Sequence, residues 1–270
     1  MRNWGIALLL LAGACQQQKK AEQPPAKPPE ITFDGAQVTD AAARVAHGER
    51  LSWTLGCRGC HREKLEGGQF YERYASNLTR ELPRYSDAEI EKLLRTGVPR
   101  DGRVLYGMPS EIFQHLSDTD LAAITSYLRT LKPGGEPTGK PLPFEADAKK
   151  LIAEGKIMPA AQSVVRDKGM TPADVGDAHS QGRYITMVTC AECHGPELKG
   201  QEGDTPNLIV AGGYSREEFE ALMTKGILPG GRKFKNPLMG EVAQGRFGHF
   251  TPHERDALYA YLKARAEQPQ

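Results

Sequence analysis

Cys57-Arg58-Gly59-Cys60-His61 and Cys190-Ala191-Glu192-Cys193-His194 are two copies of one pattern: paired cysteines two residues apart, with a histidine directly after. Two thiols at that spacing can add to the two vinyl groups on one edge of a porphyrin. The histidine that follows then lies under the ring and offers a neutral imidazole nitrogen to iron. The pattern is the attachment signature of a c-type haem. Two other chemistries use paired cysteines. A four-cysteine zinc ribbon draws its pairs into one site, whereas these pairs stand about 130 residues apart in separate repeats. A thioredoxin-like dithiol belongs in a βαβ context, and no such context is read here.

Outward from each motif the chain repeats itself. The first copy continues through Asn77-Leu78, Tyr85-Ser86 with Glu89, Leu93-Leu94, Gly97-Val98, Asp101-Gly102-Arg103 and Met108. The second continues through Asn207-Leu208, Tyr214-Ser215 with Glu218, Leu222-Met223, Gly226-Ile227, Gly230-Gly231-Arg232 and Met239. Helix signals recur in the same places. Ser86 with Glu89, Ser215 with Glu218 and Thr251 with Glu254 are capping boxes, and Ser117 with Asp120 is a weaker relative. Pro252 stands at a first helical position, where its missing N–H costs nothing. Gly97 and Gly226 suit the position just past a helix end. Final helices are expected over 116–131 and 250–265, the first with Leu121, Ile124, Leu128 and Leu131 on one face. Helix-like runs precede the motifs over 41–55 and 177–188. No stretch shows sustained β alternation. The expected fold is therefore all-α, two tandem domains at 36–132 and 173–270. A Pro- and Gly-rich linker over 133–172 joins them and carries a short helix near 149–155. Each domain is small for its core, and a covalent haem would supply much of the missing apolar volume.

Each iron needs a ligand opposite its histidine. Methionine usually fills cores, but Met108 lies in the turn-rich Tyr106-Gly107-Met108-Pro109 between two helices, and Met239 holds the matching place in Pro237-Leu238-Met239-Gly240. Both are expected in loops that present a thioether to the open face of the haem, giving ligand pairs His61/Met108 and His194/Met239. Met187 and Met223 read as core, and Met158 is a weaker rival ligand. His47, His115, His179, His249 and His253 read as exposed or hydrogen-bonded helix positions, with His249 the alternative ligand should Met239 fail. Arg103 and Arg232 recur after a glycine in a turn, where a guanidinium can pair with a haem propionate.

The chain has 270 residues and a formal net charge of +1, so no basic excess points to nucleic acid. Of its five cysteines, four lie in the motifs and the fifth is Cys15. Arg2, the apolar run 6–11 and Ala12-Gly13-Ala14 read as a signal peptide over 1–14. Its apolar run is too short to span a bilayer. Leu11-Ala12-Gly13-Ala14-Cys15 resembles a lipobox, which implies lipidation of Cys15 after cleavage, and acyl chains anchor a protein without a spanning helix. Residues 15–35, rich in Gln, Lys and Pro, read as a disordered tether.

Each half resembles a class I cytochrome c domain over about residues 40–131 and 178–265. Gly97-Val98-Pro99-Arg100-Asp101-Gly102-Arg103, Met108-Pro109, 116–121 and Tyr127-Leu128-Arg129 are similar to the cytochrome subunits of membrane-bound bacterial alcohol and sugar-acid dehydrogenases. Those subunits generally carry three haems and this chain has two motifs, so fold and ligand roles carry over and the dehydrogenase partner does not. In such domains a proline carbonyl near the Asn-Leu segment orients the histidine. Pro206 matches that place, whereas Ser76 stands there in the first half. The resemblance implies two covalent haem groups and single-electron transfer between redox partners outside the cytoplasmic membrane. The donor would be a dehydrogenase or quinol-oxidising complex, the acceptor an oxidase or another cytochrome. The alternative is a dihaem enzyme, peroxidase-like or thiosulfate-oxidising, which needs a displaceable ligand on one iron. A haem-based gas sensor would need an output domain.

Overall fold

The structure is a computed structural model that describes residue 1 and residues 29–70, 73–140, 143–234 and 236–268. Residues 2–14 of the expected signal peptide, Cys15 and most of the expected tether lie outside the described residues.

Asp40 accepts from the Ala43 amide at 2.7 Å and starts α1 (Ala41–Thr54). Gly56, at a φ of 78°, separates α1 from the motif helix α2 (Cys57–His61). A hairpin of β1 (Gly68–Phe70) and β2 (Arg73–Ala75) follows. Then come α3 (Leu78–Glu81), α4 (Asp87–Thr96), α5 (Ser110–Phe113) and α6 (Asp118–Thr130). Two helices connect the halves, α7 (Ala146–Ala153) and α8 (Ala160–Arg166). The second half has α9 (Ser180–Ile185), a π turn over Thr186–Cys190, α10 (Ala191–His194), α11 (Arg216–Lys225), α12 (Leu238–Gly245) and α13 (Pro252–Ala266).

In each half the first helix crosses the last. The crossings turn on paired glycines. A Cβ on Gly48 would stand 2.0 Å from the Ala123 carbonyl oxygen, and one on Gly182 would stand 2.1 Å from that of Ala257. Only hydrogen fits at either place, so α1 lies against α6 and α9 against α13 at backbone contact. Around these crossings Leu51, Leu55, Ile124 and Leu128 pack in the first half, and Ile185, Val188, Leu258 and Leu262 in the second.

The expected helix signals form. The capping boxes at Ser86, Ser215 and Thr251 have both arms in place, and Gly97 and Gly226 close their helices at φ of 68° and 64°. Ser117 accepts from the Asp120 amide, but the Asp120 carboxylate turns into the core instead of back to the cap. Two expectations, the helix over 177–188 and the disordered tether to 35, need correction, and the structure adds a hairpin and a packed linker. The run 177–188 is a 3₁₀ turn, a short α-helix and a π turn in succession. The hairpin was invisible because strands of three residues are too short for alternation to register. The segment 133–172 is packed: the Ala160 amide donates to the Leu105 carbonyl at 2.8 Å and α8 lies against α5. The end of the tether is also packed, since Phe33 is 1% exposed and its ring meets Tyr184 edge-on at 5.5 Å and stacks with Phe250.

Phe33 joins the two halves. Its amide donates to Asp120 Oδ2, which also accepts from the Tyr184 hydroxyl, while Asp120 Oδ1 takes His47 Nε2 at 2.8 Å. Next to it, Gln181 and His253 donate to Asp34, and Arg50 of α1 pairs with Glu254 of α13 at 2.8 Å.

Candidate functional site

The first motif opens into an apolar cleft with an empty volume of about 1240 Å³, its open mouth included. Cys57, Cys60 and His61 line it, as do Met108 and Pro109. His61 Nδ1–H donates to the Ser76 carbonyl at 2.8 Å, which leaves Nε2 as the nitrogen with a lone pair. Burial holds the imidazole below its ordinary pKa, so it is neutral near pH 7. Burial also pushes the Cys57 thiol up to about 11 and raises Cys60. Neutral buried thiols do not suit a thiolate metal site and do suit addition to a vinyl group.

The second motif repeats this local geometry. His194 Nδ1–H donates to the Pro206 carbonyl, also at 2.8 Å. Burial lowers the His194 pKa, raises Cys190 and pushes Cys193 up to about 11. Behind each histidine the chain makes the same turn. Leu65 and Leu198 are fully buried at φ of 59° and 60°, and their carbonyls accept from Leu78 and Leu208. The Gly67 and Gly200 amides donate to the His61 and His194 carbonyls at 2.9 and 2.8 Å. A non-glycine residue at positive φ is strained, and the buried leucine contacts hold it. This turn went unread, although leucine four and glycine six positions after each histidine is a usable signal.

The expected sixth ligands differ in setting. Met108 lies in a loop at the cleft, as its sequence suggests. Met239 does not lie in a loop: it is the second residue of α12, which begins directly after Pro237, with Asn236 Oδ1 accepting from the Leu238 amide at 3.0 Å. Arg103 lines the first cleft, donates to Ser76 Oγ at 3.0 Å and pairs with Asp101. Arg232 is exposed and donates to the Pro229 carbonyl at 3.1 Å. Met223 is core, and Met158 Sδ accepts from Arg166. His47 is buried on Asp120, and the His249 ring stacks on Trp53 at 5.1 Å, across the halves.

Two further groups reach the first cleft. Arg73 of β2 lines it, and its Nε is buried with no hydrogen-bond partner. Glu192, inside the second motif, lines it too, so the two sites adjoin. An apolar cleft with two neutral thiols, a lone-pair imidazole and an orphaned guanidinium N–H fits a haem. Neither Arg73 nor Glu192 belongs to the repeat pattern, and their arrival depends on the hairpin and on domain docking.

The cytochrome c family model matches twice, over residues 45–132 and 180–266. The chain belongs to the cytochrome c family. As a tandem cytochrome c it carries two covalently bound haem c groups and works in electron transfer. It is 25% identical to a dihaem cytochrome c of Cereibacter sphaeroides over 96% of both chains. It is 26% identical to one subunit of the nicotinate dehydrogenase of Pseudomonas putida, over 83% of this chain and 19% of that protein. It is 27% identical to the fructose dehydrogenase cytochrome subunit of Gluconobacter japonicus, over 60% of this chain and 38% of that subunit. This cytochrome thus spans about a fifth and two fifths of those two dehydrogenase relatives, and nearly all of the dihaem cytochrome. Among the described residues no helix is long and apolar enough to cross a membrane.

Proposed function

We propose that this cytochrome is a two-site electron relay, a carrier rather than an enzyme. Cys57 and Cys60 attach one haem with His61 and Met108 as ligands, and Cys190 and Cys193 attach the other with His194 and Met239. The observation that carries this reading is the shared geometry of the two histidines, each holding Nδ1–H on a main-chain carbonyl at 2.8 Å with Nε2 left as the base. When bound, haem iron with a histidine and a methionine supplies a one-electron couple at raised potential and leaves no position for substrate. The protein's part is to fix the imidazole tautomer, exclude water with an apolar wall and keep Met108 at the cleft. Arg103, which lines the first cleft, would pair with a haem propionate there, and the exposed Arg232 is the corresponding group of the second half.

The protein is placed on the outer side of the cytoplasmic membrane, after removal of residues 1–14 and lipidation of Cys15. Support for this is the lipobox-like sequence and the export that c-type haem attachment requires. The donor is a dehydrogenase or a quinol-oxidising complex, a reading supported by the relatives that are named as dehydrogenase subunits. Intact-mass analysis with a redox titration tests the core of the reading. Two haems per chain and a methionine–iron absorption band from both sites are expected. One haem per chain would overturn the two-site reading, and two haems with one high-spin site would overturn it in favour of a dihaem enzyme.

A further inference from the structure

Arg246 lies just past the end of α12 in the second half and extends across the domain boundary. Its Nε donates to the Thr54 carbonyl at the end of α1, 3.2 Å away. Its Nη1 pairs with Glu192 Oε2 at 2.6 Å, inside the second motif. Its guanidinium carbon lies 2.7 Å from where a Cβ on Gly56 would stand, so it packs on the backbone directly before Cys57. Its Nη2 is buried and has no hydrogen-bond partner among the described residues. One guanidinium therefore touches both haem-attachment segments from between them, and Glu192, its counter-ion, lines the first cleft.

We propose that Arg246 is a positioning residue for the relay: a fixed cation shared by the two haem sites, which sets their potentials together and, with Glu192, holds the two attachment segments edge to edge. The inference rests on the two-haem reading above.

The physics is that of a charge in a poorly solvated place. An arginine does not deprotonate in a protein, so the charge is permanent. A cation favours the reduced state of a nearby site, because reduction removes one positive charge from it. Its contacts with Thr54, with the backbone at Gly56 and with Glu192 put its field over both segments. Glu192 partly offsets that field. The exchange between the sites is of one electron, one site being oxidised as the other is reduced, with no proton or bond carried. A shared cation shifts both ends of that exchange in one direction and changes the difference between them little.

The two partners thus have opposite signs, and a purely mechanical clasp does not. Spectroelectrochemical titration of the haem-loaded protein should show both midpoint potentials falling in Arg246→Gln and both rising in Glu192→Gln. The expected change at each site is about three- to tenfold in the redox equilibrium, tenfold being about 59 mV for one electron. Arg246→Lys, which keeps the charge, should restore most of the loss. Potentials that move the same way in both glutamine variants, that move at only one site, or that stay within about twofold of the wild type would overturn the proposal. Should Arg246→Gln fail to accumulate, Glu192→Gln decides the sign by itself: both potentials rise, or the proposal fails. Haem count by mass and the methionine–iron band are read on the same samples. If those are normal and the potentials unmoved, the shared-cation inference fails while the two-haem reading stands. If the wild type lacks two haems, that reading itself fails.

Discussion

Ser76 and Pro206 share no side-chain chemistry, yet each presents its main-chain carbonyl to a histidine at the same distance. The oxygen belongs to the backbone, so the residue type matters only through the turn it permits, and the serine costs the first site nothing. Side chains matter where they enter the clefts. Met108→Ala should leave haem attachment intact, abolish the methionine–iron band of one site and lower its potential by on the order of 0.1 V, within the range of about 0.8 V that axial ligands span. Met239→Ala should do the same at the other site. Redox titration of each variant checks both.

Glu111, near Glu192 and Asp167, has its pKa pushed up to about 7, first by burial and then by those two carboxylates. The sign follows from linkage. The folded state holds a proton on Glu111 that the unfolded chain releases from its ordinary pKa of 4.5 upward, so this group's contribution to stability falls as pH rises from there to about 7. Glu111→Gln should be more stable than wild type by about 1–2 kcal/mol above that window and equal to it below. Thermal melts on either side of the window read the difference, and equal melting points on its alkaline side would contradict it.

At the scale of elements, the decisive contact is the helix crossing repeated in each half. Gly48 and Gly182 let α1 and α9 touch the carbonyls of α6 and α13. Added carbon there has nowhere to go, and overpacking of this kind costs about 1–3 kcal/mol. Gly48→Ala and Gly182→Ala should each lower stability by at least that amount in chemical denaturation. Gly59→Ala, with nothing within 4 Å of its Cβ position, serves as the neutral control. The helices that bracket the motifs were readable because caps and glycine stops are local. The hairpin and α8 were not. Three-residue strands carry too little pattern, and α8 is held by contacts with α5 and Leu105 rather than by its own sequence. The early start of α12, which takes in Met239, follows Pro237 and carries no side-chain cap that a local pattern would announce.

At the scale of the molecule, the two halves are joined through buried polar groups. Asp120 collects His47, the Phe33 amide and the Tyr184 hydroxyl. Asp120→Ala would leave three donors buried and unpaired, at a cost on the order of 3–5 kcal/mol. Asp120→Asn, which keeps an acceptor, should recover part of this. Limited proteolysis between 131 and 145 should accelerate in the alanine variant as the halves separate. The cleft around the first motif has the same global consequence. Without a macrocycle its leucine wall has nothing to pack against, so protein made without haem attachment should show little native helix by far-UV circular dichroism. A fully helical apo form would contradict this.

The paired motifs, the repeat spacing, the helix caps and the placement of Met108 in a loop are properties of short stretches, and short stretches act through local backbone geometry and covalent chemistry that sequence states outright. The all-α tandem architecture and its haem chemistry follow from them. What joins distant stretches could be read only from the folded chain: the packed Phe33, α8 against α5, Arg73 and Glu192 at the first cleft, and Arg246 between the motifs. Each depends on two surfaces meeting after folding, and the free energy of that meeting resides in burial and in partners far along the chain, where no local pattern records it.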